Sequence, residues 1–138
     1  MIVLDTNVVS ELMRATPSSR VLEWFRMHPA TMLHVTAITV AEIHTGIALL
    51  PRGARRERLD AAARQMFAED FADRCASFDA GAAEHYADIV VRRTRAGKPI
   101  AAMDAQIGAI ARSRRATLAT RNTSDFDGCG VTLEDPSA

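Results

Sequence analysis

The sequence predicts a single α/β domain of three layers, in which a mainly parallel sheet of about five short strands lies between two layers of helices. Short apolar runs alternate with longer segments of helical periodicity from one end to the other. No repeat, long linker or low-complexity segment divides the chain. Its 138 residues, 48% of them hydrophobic, supply apolar side chains for one core. We therefore expect one domain over residues 1–138.

The N-terminal segment predicts a strand, a sharp turn and two helices. Residues 2–4 are apolar and β-prone, and Thr6 or Asn7 then supplies a cap for a helix over 8–13. A second helix, over 17–28, carries its apolar residues on one stripe and ends where a proline interrupts it. The first strand therefore ends directly before the first helix.

The following segment predicts a second strand and two antiparallel helices. Residues 32–36 are short and β-prone, and from Ala37 to Leu50 the apolar residues recur at helical spacing. A Pro-Arg-Gly turn at 51–53 separates this helix from another over 54–71, which is rich in alanine and arginine. Because the turn is tight, we expect a helical hairpin after strand two.

The C-terminal half continues the alternation. Residues 75–78 are a third strand candidate, and the helix over 80–96 ends where Gly97 supplies a left-handed residue. The last predicted helix covers 103–111 and runs into a basic stretch. The remaining strand candidates are 117–120 and 131–133. Strands separated by helices pair in parallel, with helices on both faces of the sheet.

The charge balance excludes one class of function. Lysines and arginines number 17, as do aspartates and glutamates, so the formal net charge is zero. A uniformly basic nucleic-acid-binding domain is thereby excluded, and any such binding needs a local patch. No apolar run reaches the roughly 20 residues of a membrane span. Asp5 interrupts the N-terminal apolar run at once, so we expect no secretory signal and a soluble, cytoplasmic protein.

The cysteines and histidines do not indicate a second kind of metal site. Cys75 and Cys129 are far apart and lack CxxC spacing, so we expect two reduced thiols. Glu42 and His44 are two positions apart on a predicted helix, about 200° around it, and cannot face one ion. The other histidines have no partner at ligand spacing.

Polar residues follow the strands at the edge where parallel sheets bind ligands. Asp5 ends strand one, Glu42 lies a turn into the helix after strand two, and Asp104 begins the helix before strand four. Asn122 and Asp125 follow strand four. Carboxylates gathered in a crevice repel one another unless a divalent cation binds them, which implies Mg²⁺ or Mn²⁺.

Each of these residues also has an ordinary structural interpretation. Asp5 stands where a helix cap is wanted, and Asp104 lies in a first helical turn, where a carboxylate favours the dipole. Glu42 would normally belong to a solvated helix face, although its neighbours are apolar. Asp125 suits a turn.

Four motifs in order and at characteristic spacing carry a family resemblance. They are MIVLDTN at 1–7, TVAEI at 39–43 followed by Gly46, DAQIGA at 104–109 and TRNTSDF at 120–126. Together they resemble PIN-domain ribonucleases, specifically the VapC-type toxins of bacterial toxin–antitoxin pairs, over essentially the whole chain. The resemblance implies a magnesium-dependent endoribonuclease whose metal is held by Asp5, Glu42 and Asp104.

The resemblance also implies a wider set of site residues and partners. Many relatives have an acid where this chain has Asn122, so Asn122 and Asp125 are second-tier members of the catalytic site. Thr6 and Thr120 are expected to orient the carboxylates through their hydroxyls. Such toxins form homodimers and are inhibited by a small antitoxin in an apolar groove, which we expect near the helical pair 38–71, Trp24 and Phe25.

Substrate binding requires positive charge near the acidic residues. Arg121, Arg112 and Arg115 are the candidates for RNA contact, because Arg121 follows strand four and the other two end the helix that carries Asp104. The three arginines Arg55, Arg56 and Arg58 are expected to form a solvated helix face.

Two other functions are compatible with these residues. Asp5 could be the nucleophile of a phosphatase, as in haloacid-dehalogenase-like enzymes, but those have a second aspartate where this chain has Asn7. A catalytically silent module that binds RNA or protein is the other alternative, with Asn122 as a sign of a decayed site. Intact Asp5, Glu42 and Asp104 argue against it.

Overall fold

The central sheet consists of five strands, every neighbouring pair of which is parallel. The computed structural model describes residues 1–138. The strands are β1 (Ile2–Leu4), β2 (Leu33–Thr36), β3 (Cys75–Ala76), β4 (Thr117–Ala119) and β5 (Thr132–Glu134). Their order is β3-β2-β1-β4-β5. The predicted parallel α/β sheet is confirmed.

Six α-helices connect and cover the strands. They are α1 (Thr6–Leu12), α2 (Ser19–Arg26), α3 (Ala37–Ala48), α4 (Ala54–Gln65), α5 (Ala80–Arg95) and α6 (Ala102–Ser113). Short 3₁₀ turns cover Ala30–Met32 and Thr123–Phe126, and a π-helical turn, Met66–Asp70, extends α4. Helices α3 and α4 pack against each other, which confirms the predicted hairpin after strand two.

The two faces of the sheet have separate cores. In β1, Ile2 and Leu4 face a cluster formed with α1–α4, whereas Val3 faces a second cluster formed with α5 and α6. Successive side chains of a strand point to opposite faces, so an all-apolar central strand stabilises both layers. Because Trp24 belongs to the first core, with only 8% of its surface exposed, it is not part of a free apolar surface.

The edge strand β3 is shorter than the predicted run 75–78. Only Cys75 and Ala76 pair with β2, because Thr36, the partner of Ala76, is the last residue of β2 before α3 begins. Phe78 instead packs edge-on against Tyr86, with ring centroids 5.8 Å apart. The chain then turns into α5, whose N-terminal cap is Asp79.

The strand order places a crevice at one edge of the sheet. The chain runs outward from β1 to β2 and β3, then returns to build β4 and β5 on the other side of β1. The connections therefore diverge between β1 and β4, and ligands of such sheets bind at this point, outside the carboxyl ends of the strands. Asp5 and Thr120 directly follow these two strands.

No helix of the structure has the length and apolarity that crossing a bilayer requires. Both cysteines are free thiols, Cys75 exposed and Cys129 buried.

Candidate active site

A polar cavity of about 470 Å³ lies at the crevice between β1 and β4. None of the ten residues that line it is hydrophobic. They are Asp5, Thr6, Asn7, Ser10, Glu11, Arg14, Glu42, Asp104, Asn122 and Asp125. The structure thus brings together all five candidate catalytic residues of the sequence analysis, although as many as 120 positions separate them along the chain.

Asp5 is the most buried carboxylate of the candidate catalytic residues, with 5% of its surface exposed. Its Oδ1 accepts a hydrogen bond from the Thr6 amide and its Oδ2 accepts one from the Thr120 hydroxyl, both at 2.8 Å. Burial raises the pKa of Asp5 to about 6, and the charges of Asp104 and Glu42 act in the same direction, against the two hydrogen bonds. The two hydrogen bonds therefore fix the Asp5 carboxylate in position, while burial and the neighbouring carboxylates disfavour its charged form.

Glu42 is held through the same threonine that binds Asp5. The Thr6 hydroxyl donates to Glu42 Oε1 at 2.8 Å and also lies 2.9 Å from the Thr39 hydroxyl. Thr39 in turn bonds Thr36, which caps α3. Because Thr6 contacts Asp5 with its amide and Glu42 with its hydroxyl, it sets the relative position of the two carboxylates.

Asp104 enters the cavity from the first turn of α6 and is half-buried. Burial raises its pKa, and so do the charges of Asp125 and Glu42, whereas Arg93 has the opposite effect. Asp125 itself lies on the 3₁₀ turn after β4 and is exposed. Asp104, Asp125 and Glu42 thus lie close enough together to concentrate negative charge in the cavity.

Thr120 connects the strands on either side of the crevice. The Thr120 hydroxyl donates to Asp5, and its oxygen accepts hydrogen bonds from the backbone amide of Asn122 at 3.1 Å and from the side chain of Asn7 at 3.3 Å. Asn7 also accepts a bond from the Arg121 amide. Thr120 thereby fixes the start of the loop that carries Asn122 to the edge of the cavity.

Glu11 is a site residue that the sequence analysis missed. It is only 4% exposed and accepts hydrogen bonds from the Ser18 amide at 2.8 Å and from Arg121 at 2.9 Å. The bond from Ser18 is the main cause of its lowered pKa, and Arg14 and Arg121 contribute. A carboxylate at helical spacing from Asn7 was the available signal, since Asn7 and Glu11 lie on one face of α1 and Arg14 follows just beyond its end.

Glu11 determines where Arg121 points. The guanidinium of Arg121 binds Glu11 and does not line the acidic cavity. Arg112 is paired with Asp88 at 2.6 Å, and it lies eight residues beyond Asp104, about 12 Å along α6. Arg115 lies beyond the end of α6, so neither Arg112 nor Arg115 lines the cavity, and their contact with RNA stays a prediction.

The donor set of the cavity fits a hydrated divalent cation. Five carboxylates line it, against the single cation Arg14, which is 3.3 Å from Glu11. No three histidine, cysteine, aspartate or glutamate side chains converge into a complete ligand cluster. Mg²⁺ does not require one, because it keeps several waters and is held by one or two carboxylates. The pKa of Asp5 is raised because this carboxyl is buried beside other carboxylates and no cationic side chain pairs with it.

Comparison with known proteins identifies the family. The sequence model of the PIN-domain family matches residues 2–128 of this chain. The chain belongs to the PIN-domain family. It is 38% identical to the VapC ribonuclease Y4jK of Sinorhizobium fredii, over 99% of this chain and 97% of that protein. It is 39% identical to the toxin FitB of Neisseria gonorrhoeae, over 99% of this chain and 98% of FitB.

The fold agrees with a solved structure of this family. A chain of FitAB bound to a DNA fragment superposes with a TM-score of 0.93 at 38% identity, covering 100% of this chain and 96% of that one. The resemblance to VapC-type PIN domains that the sequence motifs carried is thereby confirmed. The family membership concerns almost the entire chain, including the strands and helices that form the cavity.

Arg93 of this PIN domain is a buried arginine that binds the loop carrying Asp125. It is 9% exposed and has no carboxylate partner within 4 Å. Its guanidinium donates to the carbonyls of Lys98, Asp125 and Asp127 at 2.7, 2.8 and 3.1 Å. A buried cation that bonds main-chain carbonyls on both sides of Phe126 holds this loop in place.

We expect Arg93→Met to destabilise the PIN domain by about 2 kcal/mol, because three carbonyls lose a charged donor. Urea unfolding measures the change. Arg95→Met, on the same helical turn but exposed and without an ion pair, is the matched control and should change the free energy of unfolding by less than about 0.5 kcal/mol. Equal effects of the two variants would contradict the role of Arg93.

Proposed function

We propose that this PIN domain is a magnesium-dependent endoribonuclease toxin, in which Mn²⁺ can replace Mg²⁺, and that a cognate antitoxin inhibits it. The observation that carries the proposal is the cavity at the β1–β4 crevice, which Asp5, Glu42, Asp104 and Asp125 line together and which no hydrophobic residue lines. The relatives named VapC ribonuclease and toxin FitB support the same activity.

Asp5, Glu42 and Asp104 would hold the metal ion, with Asn122 and Asp125 at the edge of the cavity as second-tier catalytic residues. When bound, the ion polarises a phosphoryl oxygen and lowers the pKa of a water molecule. Thr6 and Thr120 keep Asp5 and Glu42 in position through the hydrogen bonds described above.

Glu42 is better placed than Asp5 to accept the proton of the attacking water. Both oxygens of Asp5 already accept hydrogen bonds from the protein, whereas only Oε1 of Glu42 does. Its Oε2 therefore keeps both lone pairs for a water molecule in the cavity, which is the geometry that general-base catalysis requires. Thr6 holds the carboxylate in place while this proton moves.

An apolar cavity of about 510 Å³ on the other side of α1 is the proposed antitoxin site. Eight of its ten lining residues are hydrophobic, among them the half-buried Leu12, Met13 and Phe25. Apolar clefts of this size accept amphipathic segments of partner proteins. We further propose that the toxin is a cytoplasmic homodimer that acts on RNA.

The residue two positions after Asp5 disfavours the phosphatase alternative. Haloacid-dehalogenase-like enzymes have a second aspartate at that position, whereas this chain has Asn7, whose side-chain amide cannot exchange a proton as a carboxylate does. Asn7, which replaces the second aspartate of such phosphatases, bonds Thr120 and the Arg121 amide instead.

The test is incubation of the purified, partner-free protein with bacterial total RNA. We expect discrete fragments with Mg²⁺ or Mn²⁺ and none with chelator. Asp104→Asn should remove them, whereas Asp127→Asn, an exposed carboxylate outside the cavity, should not. Absence of cleavage despite metal binding would favour a silent RNA- or protein-binding module. Absence of metal binding would contradict the carboxylate site itself.

A further inference from the structure

A second groove opens directly onto the acidic cavity. It has a volume of about 800 Å³ and lies between α1, α3 and α4. Thr6, Ser10, Arg14 and Glu42 line both the groove and the acidic cavity, so the two form one continuous depression. A molecule in this groove, which we call the α4 groove, therefore reaches the carboxylates without leaving the surface.

The α4 groove carries two arginines that no carboxylate neutralises. Arg55 and Arg58 line it, and neither has an acidic partner within 4 Å. By contrast, Arg64 on the same helix is paired with Asp60 at 3.0 Å. Residues three apart on a helix are neighbours on its surface, so Arg55 and Arg58 present a double positive charge to the groove.

Of the three arginines considered for substrate contact on sequence grounds, two are paired, and the third, Arg115, lies beyond the end of α6 and lines neither cavity. Arg121 is bound to Glu11 at 2.9 Å and Arg112 to Asp88 at 2.6 Å. The expected solvated face of α4 is in fact divided, because Arg56 lines a different cavity with Arg52, on the other side of the helix. The arginines without an acidic partner that lie beside the acidic cavity are therefore Arg55 and Arg58, on the groove side of α4.

We propose that the α4 groove binds the phosphodiester backbone of single-stranded RNA beside the cleavage position, with Arg55 and Arg58 contacting phosphates. The inference rests on the proposed function, since it extends that site along its substrate. Guanidinium groups bind phosphates bidentately and supply the positive charge that the acidic cavity lacks. The half-buried Leu50 and Leu59 line the same groove and offer apolar contact to unpaired bases, which a duplex would keep stacked inside.

The test compares two double variants that remove the same number of charges from the same region. Arg55→Gln with Arg58→Gln alters the groove, and Arg52→Gln with Arg56→Gln is the matched control on the opposite side of α4. Both carry Asp104→Asn to prevent cleavage. Anisotropy of a short fluorescein-labelled single-stranded RNA is measured over a series of salt concentrations.

We expect the groove variant to weaken RNA binding about tenfold at low salt and to lower the slope of log K against log salt by about 1.4, since each single-strand phosphate contact contributes about 0.7. The control should keep both values. Equal losses in the two double variants, or no loss in either, would overturn the proposal. It would also be overturned if oligoglutamate bound as tightly as RNA and required the same two arginines, because the groove would then suit an acidic protein partner.

A cleavage assay of the same substitutions with Asp104 intact separates this inference from the proposed function. If the wild-type protein fails to cleave RNA but the groove variant still binds it less tightly than the control, the nuclease proposal fails and the groove stands. If cleavage requires metal and Asp104 while the groove variant retains the wild-type KM, the nuclease stands and the groove proposal fails.

Discussion

Asp5→Asn should lower the rate of RNA cleavage about a thousandfold, because metal-assisted stabilisation of a phosphoryl transition state supplies several kcal/mol. The same substitution should make the metal-free protein more stable near neutral pH. A lower cleavage rate together with a higher stability is distinctive, because a substitution that simply damages the fold lowers both the rate and the stability. The introduced side-chain amide keeps a carbonyl oxygen for the Thr6 backbone amide, and its NH₂ group can donate to the Thr120 hydroxyl in place of the longer bond from the Asn7 side chain, at 3.3 Å.

The gain in stability follows from the pKa of Asp5. The carboxyl titrates near 3.8 in an unfolded chain and at about 6 in the folded protein, so between these values the folded state binds more protons. The contribution of Asp5 to stability therefore falls as pH rises through this window, and above it this carboxyl costs the folded state about 3 kcal/mol relative to acid pH. The asparagine of the variant cannot ionise and avoids this loss.

Urea unfolding in chelator, at about pH 7.5 and about pH 4, measures the effect. We expect Asp5→Asn to be more stable than wild type by about 3 kcal/mol at the higher pH and by little at the lower one. Mg²⁺ should stabilise the wild type but not the variant, because it binds only the intact folded site. A variant that is destabilised at the higher pH would contradict this account, whatever its activity.

Phe126→Ala should destabilise the folded protein by about 4 kcal/mol, the usual range for a fully buried phenylalanine. The Phe126 side chain is 1% exposed and belongs to the core between the sheet, α5 and α6. Its ring lies over Gly108, where an added Cβ would be 3.7 Å from the ring. The ring therefore packs directly against α6, and its truncation leaves a cavity there.

The same substitution should also reduce RNA cleavage, because Phe126 anchors the 3₁₀ turn that carries Asp125. Urea unfolding gives the loss of stability, and cleavage of the same RNA at a temperature where the variant stays folded gives the loss of activity. Phe67→Ala, which truncates a half-buried phenylalanine of the other core, is the control. It should lose stability but retain cleavage, and full cleavage by Phe126→Ala would contradict the anchoring role.

Much of the fold and of the acidic site followed from local patterns in the sequence. Hydrophobic periodicity located the helices and strands to within a few residues, and their alternation predicted a parallel sheet. Because parallel strands end at one edge, Asp5, Glu42 and Asp104 could be expected to meet there although they are far apart in the chain. The structure places all three in one cavity with Asn122 and Asp125.

Other features depend on contacts that a local pattern does not contain. Glu11 looked like an ordinary helix residue until folding brought it to Arg121, 110 positions away. Arg112 ends the helix that carries Asp104, but the length of α6 and the pair with Asp88 remove it from the cavity. Arg55 and Arg58 showed no sign of lining a groove beside Glu42, because only the packing of α4 against α3 creates that groove.

The sequence by itself determined the order of elements, the parallel sheet and the identity of the acidic residues at its edge, since these depend on periodicity and on positions next to strand ends. Only the tertiary structure decided which charges are paired, how deeply Asp5 is buried and which arginines border the cavity. Electrostatic energies depend on distance through space and on exposure to water. Neither quantity can be obtained from spacing along the chain.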